Sequence, residues 1–285
     1  MNNKSIGFAL ISVLAFAVMN VSVKFLPHIS FVELVWFRSM ISLVITVTYL
    51  RSIKVSVWGT GDNKKLLYMR GIFGVTALSL FFYTLQKLPL ATAITLQYLS
   101  PIFTAIFAVL FLGETVRRIQ WLWFAVAFIG ILVVRGSAEG ISWGIFIAGI
   151  ASAALAGAAY TVISKLKNRE HPVVVVFYFP LVAIPTMSIF LPSIWTTPVG
   201  VDWIFILLMG VSTQFGQVYL TKAYQAADAS KVAIFKYLGV IFGLGFDLVL
   251  FNIRHSYGVL FGIGLVVLGV FLQVMSKNAR IITKL

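Results

Sequence analysis

The stretch Tyr83-Thr84-Leu85-Gln86 through Gln97-Tyr98-Leu99-Ser100-Pro101-Ile102-Phe103 recurs as Lys222-Ala223-Tyr224-Gln225 through Lys236-Tyr237-Leu238-Gly239-Val240-Ile241-Phe242, at an offset of 139. Earlier in each half, Ala15-Phe16-Ala17 with Lys24 aligns with Ala156-Gly157-Ala158 with Lys165, at an offset of 141. A period of about half the 285-residue chain predicts two repeats, residues 1–138 and 139–285. Cutting the apolar runs at charged, Pro and Gly punctuation gives ten candidate spans: 5–26, 31–50, 66–86, 90–112, 117–135, 141–165, 172–192, 202–224, 228–250 and 256–276. Runs of about 20 apolar residues are long enough to cross a hydrocarbon core of about 30 Å as helices. Each half holds five spans, an odd number, so the second half is expected to sit inverted in the membrane. Inverted repeats recur in secondary transporters, with substrate held near the midplane between them.

Composition points the same way. With 60% hydrophobic residues, 11% charged residues and a mean hydropathy of +1.01, the chain is too apolar for a water-facing globule. Soluble enzyme, disordered protein and disulfide scaffold are excluded on these totals, and there is no cysteine to build a bridge or thiolate site. Met1-Asn2-Asn3-Lys4 leads directly into an apolar run of full spanning length without a small-residue cleavage site, which predicts a retained first span.

The net charge of +14 is unevenly distributed. One side of the expected topology receives Lys4, Arg51, Lys54, Lys64, Lys65, Arg70, Arg117, Arg118, Lys165, Lys167, Arg169, Lys222, Lys231, Lys277, Arg280 and Lys284, 16 in all. The other receives 3, Lys87, Arg135 and Arg254. Cytoplasmic loops are enriched in Lys and Arg, so both termini are expected in the cytoplasm. The charge reads as topology signal and contact with anionic lipid, not as a nucleic-acid surface.

The run Leu90-Ala91-Thr92-Ala93-Ile94-Thr95-Leu96-Gln97-Tyr98-Leu99-Ser100-Pro101, ending in Phe111-Leu112-Gly113-Glu114, resembles the signature fourth helix of the EamA-type drug/metabolite transporters. Glu33-Leu34-Val35-Trp36-Phe37-Arg38 is similar to the second-helix pattern of the same family. The resemblance extends over essentially the whole chain. It implies an all-α integral membrane carrier of ten helices, with a central cavity lined mainly by spans 1, 3, 4, 6, 8 and 9. The second copy departs from the pattern, with Val240 where Pro101 would stand and Asn252-Ile253 replacing Gly113-Glu114.

A charge near the bilayer centre needs a partner, water or a function. Lys236 lies eight residues into the ninth span, with Gly239, Gly243 and Asp247 on the same stripe. Its repeat counterpart Gln97 approaches from the opposite face beside Ala93, Pro101, Thr104 and Ala108. Lys236 is either a cavity residue meeting substrate or a structural lysine paired with another helix. Gln214 and Gln217 share one face of the eighth span with Gly210 and Thr221, and read as lining a wet cavity or as interhelical hydrogen bonders. Tyr83, Tyr160, Asn20 and Tyr237 complete the candidate substrate-binding set. Lys24 is near the outer end of the first span, where it can snorkel to headgroups. Arg38, Glu33 and Asp247, with Lys24, are candidate gating or structural charges. Gly149, Ala153 and Gly157, and Gly258 and Gly262, read as close-packing stripes. Pro101 is expected to bend the fourth span, and Pro180 and Pro185 the seventh.

Other classes fit less well. His28, His171 and His255 fall in different loops, and no HExxH, GxSxG or paired-carboxylate pattern is present, so neither an enzyme nor a metal site is expected. No cofactor is implied. A channel wants a filter motif or a ring of like charges, and a receptor wants larger loops. The sequence therefore reads as a secondary carrier or exchanger for a small organic metabolite, in the cytoplasmic membrane of a bacterium, with a homodimer allowed. Lys24, Arg38 and Lys236 against Glu33 and Asp247 leave one positive charge inside the spans, favouring an anionic, carboxylate-bearing solute. An amino-acid-like or neutral solute is the alternative.

Overall fold

The computed structural model describes residues 3–113, 115–137, 141–226, 235 and 238–282, and no strand occurs among them. In hydrocarbon a backbone N–H or C=O has no water to bond, so a spanning segment must satisfy its own groups, and an apolar run becomes a helix. The helices are α1 (Asn3–Lys24), α2 (Phe31–Ser52), α3 (Lys64–Lys87), α4 (Leu90–Gln97), α5 (Ser100–Leu112) and α6 (Arg118–Ser137) in the first half. In the second they are α7 (Trp143–Lys165), α8 (Pro172–Ser188), the short α9 (Leu191–Ile194), α10 (Asp202–Ala226), α11 (Leu238–Val249) and α12 (Tyr257–Ile282). Among the described residues, seven stretches are long and apolar enough to cross a membrane, counting Leu90–Phe111 as one; Pro172–Ser188, Leu238–Val249 and Tyr257–Gln273 are shorter apolar helices.

The fourth span breaks where it was expected only to bend. Helix α4 ends at Gln97, Tyr98 and Leu99 form a turn, and α5 restarts at Ser100. Pro101 has no N–H for the Gln97 carbonyl, and its ring crowds that carbonyl. The turn is instead closed by tighter bonds, Leu99 N–H to Leu96 O at 3.2 Å and Ile102 N–H to Leu99 O at 3.0 Å. At its far end α5 stops on Gly113, whose φ of 68° supplies the left-handed cap. Helix α8, by contrast, continues through both Pro180 and Pro185.

The helix pairings between the halves include α1 with α10, α3 with α7, α2 with α8, α4 with α11 and α6 with α12. Replacing each helix by its counterpart five spans later leaves this set of pairings unchanged. Lipid tails are as apolar as leucine, so such pairs rely on close approach more than on hydrophobic burial. A Cβ on Gly130 of α6 would lie 2.7 Å from Gly262 O of α12, and one on Gly262 would lie 2.8 Å from Gly130 O, so these backbones touch directly. Gly157 of α7 lets α5 approach in the same way, with Phe103 Cβ 2.7 Å from where a side chain would start.

Large apolar side chains such as Leu110, Ile129, Leu132, Ile147, Leu207 and Phe261 face outward, while Arg38, Arg70, Ser152, Thr213, Gln214 and Asp247 are buried. The arrangement is that of a protein solvated by lipid. Hydrogen bonds between connecting segments respect two ends of the bundle. At one end, Glu170 accepts from Thr60 N–H at 2.9 Å and Asn63 Nδ2 at 2.9 Å, and also meets the Thr60 hydroxyl. At the other, His28 meets Asp202 at 3.0 Å, Glu33 accepts from Thr196 N–H at 3.1 Å, and Ser256 donates to Ser137 O at 3.1 Å.

Candidate functional site

A cavity of about 140 Å³ opens between the halves. Its walls come from α1 (Ala9, Ser12, Phe16, Asn20), α3 (Leu78, Phe81), the α4–α5 break (Ile94, Gln97, Tyr98, Ser100), α7 (Tyr160), α10 (Gln217, Leu220) and α11 (Gly239). These are the six spans that the family resemblance implies. Most of the wall is apolar, with a few polar groups set into it, as is usual for a site that takes an organic molecule.

Gln97 owes its place to the broken helix: it is the last residue of α4, just before the turn that Pro101 enforces. The Ser152 hydroxyl lies 2.7 Å from Ala77 O and 3.0 Å from Gln97 Oε1, which orients the amide. Asn20 is 8% exposed, and its buried Oδ1 has no hydrogen-bond partner among the described residues. Ser12 is anchored across the halves, donating to Gly216 O at 2.9 Å.

A smaller chamber of about 50 Å³ shares Leu78, Phe81, Gln97, Tyr160 and Gln217 with the first and extends it to Arg70, Gly74 and Phe179. Arg70 was counted above with the cytoplasmic loop charges; the structure corrects this. It lies seven residues into α3 and is 3% exposed, so it is an interior residue. Gly74, one turn on, makes room for it: a Cβ there would sit 2.1 Å from Arg70 Nη1. Arg70 Nη2 donates to Gln217 Oε1 at 3.4 Å, while Nε and Nη1 have no hydrogen-bond partner among the described residues. Arg38 of α2, 1% exposed, stacks its guanidinium 4.1 Å from the centre of the Phe179 ring, and its Nε and Nη1 likewise have no hydrogen-bond partner among the described residues.

The other candidates fall elsewhere. Gln214 does not line the cavity. Its amide is consumed between helices, accepting from Ser42 Oγ at 2.5 Å and donating to Thr46 Oγ1 at 2.7 Å. Tyr83 is also outside the cavity, packed edge-on against Phe31 at 5.7 Å. Lys24 does not snorkel to headgroups but bonds the Leu85 and Leu88 carbonyls at 3.2 and 2.6 Å. Glu33 caps Thr196, and Asp247 accepts from the Leu90 and Ala91 amides and meets His255 at 2.9 Å. Neither carboxylate pairs with Arg38 or Arg70. Lys236, Tyr237 and Glu114 lie outside the described residues. Arg70 is the residue that sequence reasoning missed as a site group; its signal was Gly74 at +4, which clears space beside it.

The histidines serve structure. His171 opens α8, its Nδ1 accepting from Val173 N–H at 3.3 Å, and burial together with the nearby Lys222 charge holds its pKa below the usual imidazole value. The neutral ring is the form able to accept that bond.

The sequence profile of the EamA-like transporter family matches residues 3–136 and again 142–275. The chain is 33% identical over 248 residues to the Pseudopaline exporter CntI of Pseudomonas aeruginosa strain UCBPP-PA14, covering 83% of this chain and 84% of that one. It is 29% identical over 266 residues to Solute carrier family 35 member G1 of Mus musculus, covering 86% and 71% of the two chains. A Riboflavin transporter of Rhizobium johnstonii is 32% identical over 153 residues, 53% of this chain and 50% of that one. A crystal structure superposes with a TM-score of 0.66 over 99% of both chains at 17% identity, a likeness of fold. Repeated family matches, multi-span architecture and named relatives agree on membrane transport of small solutes rather than catalysis: the chain belongs to the EamA-like transporter family.

Proposed function

We propose that this protein is a secondary carrier that moves a small organic metabolite by alternating access. Ten spans form two repeats, residues 1–138 and 139–285, inverted with respect to one another, with both termini in the cytoplasm. The observation that carries this reading is the polar-studded cavity bounded by both halves and by a helix broken at Gln97. Discontinuous helices at a repeat interface leave backbone groups free to meet substrate and allow one part of the helix to tilt on the other. Cross-half pairings that survive the exchange of repeats support two packing arrangements related by the same symmetry.

The solute is anionic and carboxylate-bearing in this reading, with Gln97, Gln217, Asn20 and Tyr160 setting its orientation and Lys236 and Tyr237 contributing from the second repeat. An amino-acid-like or neutral solute is the second reading, favoured by the amide side chains. The relatives named for export of pseudopaline support outward movement of an organic solute across a bacterial cytoplasmic membrane. The test is counterflow: proteoliposomes preloaded with unlabelled metabolites are offered the labelled counterparts. Accumulation of label that depends on the matching internal solute is expected; absence of counterflow across a panel of acids, amino acids and neutral metabolites overturns the carrier reading.

A further inference from the structure

We infer that Arg70, backed by Arg38, is the binding site for the oxyanion head group of the transported solute, a carboxylate or phosphate carried on an organic body. This inference rests on the carrier reading and gives the cavity its anchoring charge.

Each guanidinium is almost wholly buried, at 3% and 1% exposure, and two of the three nitrogens of each lack a hydrogen bond among the described residues. A buried charge in a spanning helix is costly, so such residues persist where they are paired or used. Neither is paired with a carboxylate among the described residues. The interior carboxylates Glu33 and Asp247 are each occupied by backbone amides of other helices. Arg38 is partly compensated by the Phe179 ring face at 4.1 Å, a cation–π contact that leaves its edge donors unsatisfied. Arg70 makes the long Gln217 contact of 3.4 Å and lies near Tyr160.

The location is as specific as the charge. Arg70 and Phe179 wall the smaller chamber, and that chamber shares Gln97, Tyr160 and Gln217 with the larger one. A solute could thus place its charged end on Arg70 while its body occupies the largely apolar main cavity. A guanidinium presents parallel N–H donors that match a planar carboxylate or two phosphate oxygens, and such charge-assisted pairs are about twice as strong as neutral ones. Gln217, which accepts from Arg70 without neutralising it, steadies the fork.

The test measures thermal unfolding of the full-length protein in detergent with acetate, succinate, citrate or inorganic phosphate, and with succinamide as the uncharged counterpart of succinate. At least one oxyanion is expected to raise the wild-type Tm saturably, with succinamide inert. Carboxylates acting where phosphate does not assigns the head group as carboxylate, and the converse assigns phosphate. Arg70→Met should lose the shift, weakening binding at least ten-fold, while its own Tm without ligand stays equal to or above wild type, because an uncompensated buried charge has been removed. Arg70→Lys keeps charge but loses the fork, and is expected to bind more weakly than wild type. A shift that persists in Arg70→Met overturns the assignment. So does an Arg70→Met protein that is destabilised, since the arginine would then be a packing residue. If no oxyanion shifts the wild type, the inference fails without any variant. Counterflow separates the two readings: a neutral solute carried by a protein that binds no oxyanion sinks the subsite alone, and oxyanion binding without counterflow of any solute sinks the carrier alone.

Discussion

Lys24 and Asp247 grip the two helix ends that meet at the Leu88–Pro89 turn, one from each repeat. The Lys24 ammonium donates to the last carbonyls of α3, and the Asp247 carboxylate accepts from the first amides of α4 at 2.9 and 2.8 Å. Each charge therefore complements the partial charge of the helix end it touches. Gln86 adds a third tie, donating to Leu26 O and Ile29 O at 3.1 and 2.7 Å. The end of the bundle away from the Lys- and Arg-rich loops is thus held by ties between α1, the α3–α4 turn and α11.

Asp247→Asn should weaken this closure. The amide keeps one acceptor but turns N–H groups toward an amide donor, leaving Leu90 or Ala91 without its charged partner. Hydrogen bonds to charged groups contribute about 1.5–3 kcal/mol, so a loss of that order is expected in the thermal unfolding of purified protein. An unchanged midpoint would show that the cap does not hold the turn.

Gln214 and Gln217 should separate cleanly. Gln214→Leu strands Ser42 and Thr46 between helices and is expected to reduce stability by about 0.6–2 kcal/mol, with counterflow by the folded fraction preserved. Gln217→Leu removes a cavity amide and the contact to Arg70, and should cut counterflow at least ten-fold with little change in unfolding temperature. Parallel measurement of both quantities on both variants decides the point; the reverse pattern refutes the division.

That pair also marks how far the sequence can be read. The apolar runs identified the helices because hydrocarbon leaves a backbone few alternatives, and Pro101 marked the place of an irregularity, expected as a bend, because its missing N–H is a local fact. Cavity facing is not local. Gln214 and Gln217 are three residues apart, about 60° around a helix of 3.6 residues per turn, and that angle turns one toward α2 and the other toward the cavity. Arg70 was counted with Lys64 and Lys65 on the cytoplasmic side although the third span was drawn as 66–86, because nothing in spacing tells where the membrane-embedded part of α3 begins. Only the packing of α8 on α3, with Tyr178 O 2.6 Å from where a Gly71 Cβ would sit, shows that this part of the helix is enclosed.

Topology can be tested without background labelling, since the chain has no cysteine. Lys167→Cys and Ser193→Cys both fall at exposed positions, in segments assigned to opposite sides of the membrane. In intact cells a membrane-impermeant maleimide should label Ser193→Cys and spare Lys167→Cys until the membrane is permeabilised. Labelling of Lys167→Cys alone would invert the assignment; equal labelling of both would contradict a spanning connection between them.

Pro101→Ala tests whether the break in the fourth span works as a hinge. Alanine restores an N–H that can bond Gln97 O and removes the ring that crowds it, so α4 and α5 can join into one helix. An interior proline disfavours a continuous helix by about 3 kcal/mol relative to alanine, which bounds the stabilisation the variant could gain. A joined helix would move the Gln97 side chain and its Ser152 contact, and would fix the angle between the part of the span against α11 and the part against α7. The expected result is a higher unfolding temperature with counterflow slowed at least ten-fold. Two wild-type-like values would mean that the turn at Tyr98 and Leu99 is held by its surroundings and not by proline. A higher unfolding temperature with normal counterflow would mean that the break shapes the cavity without moving during transport.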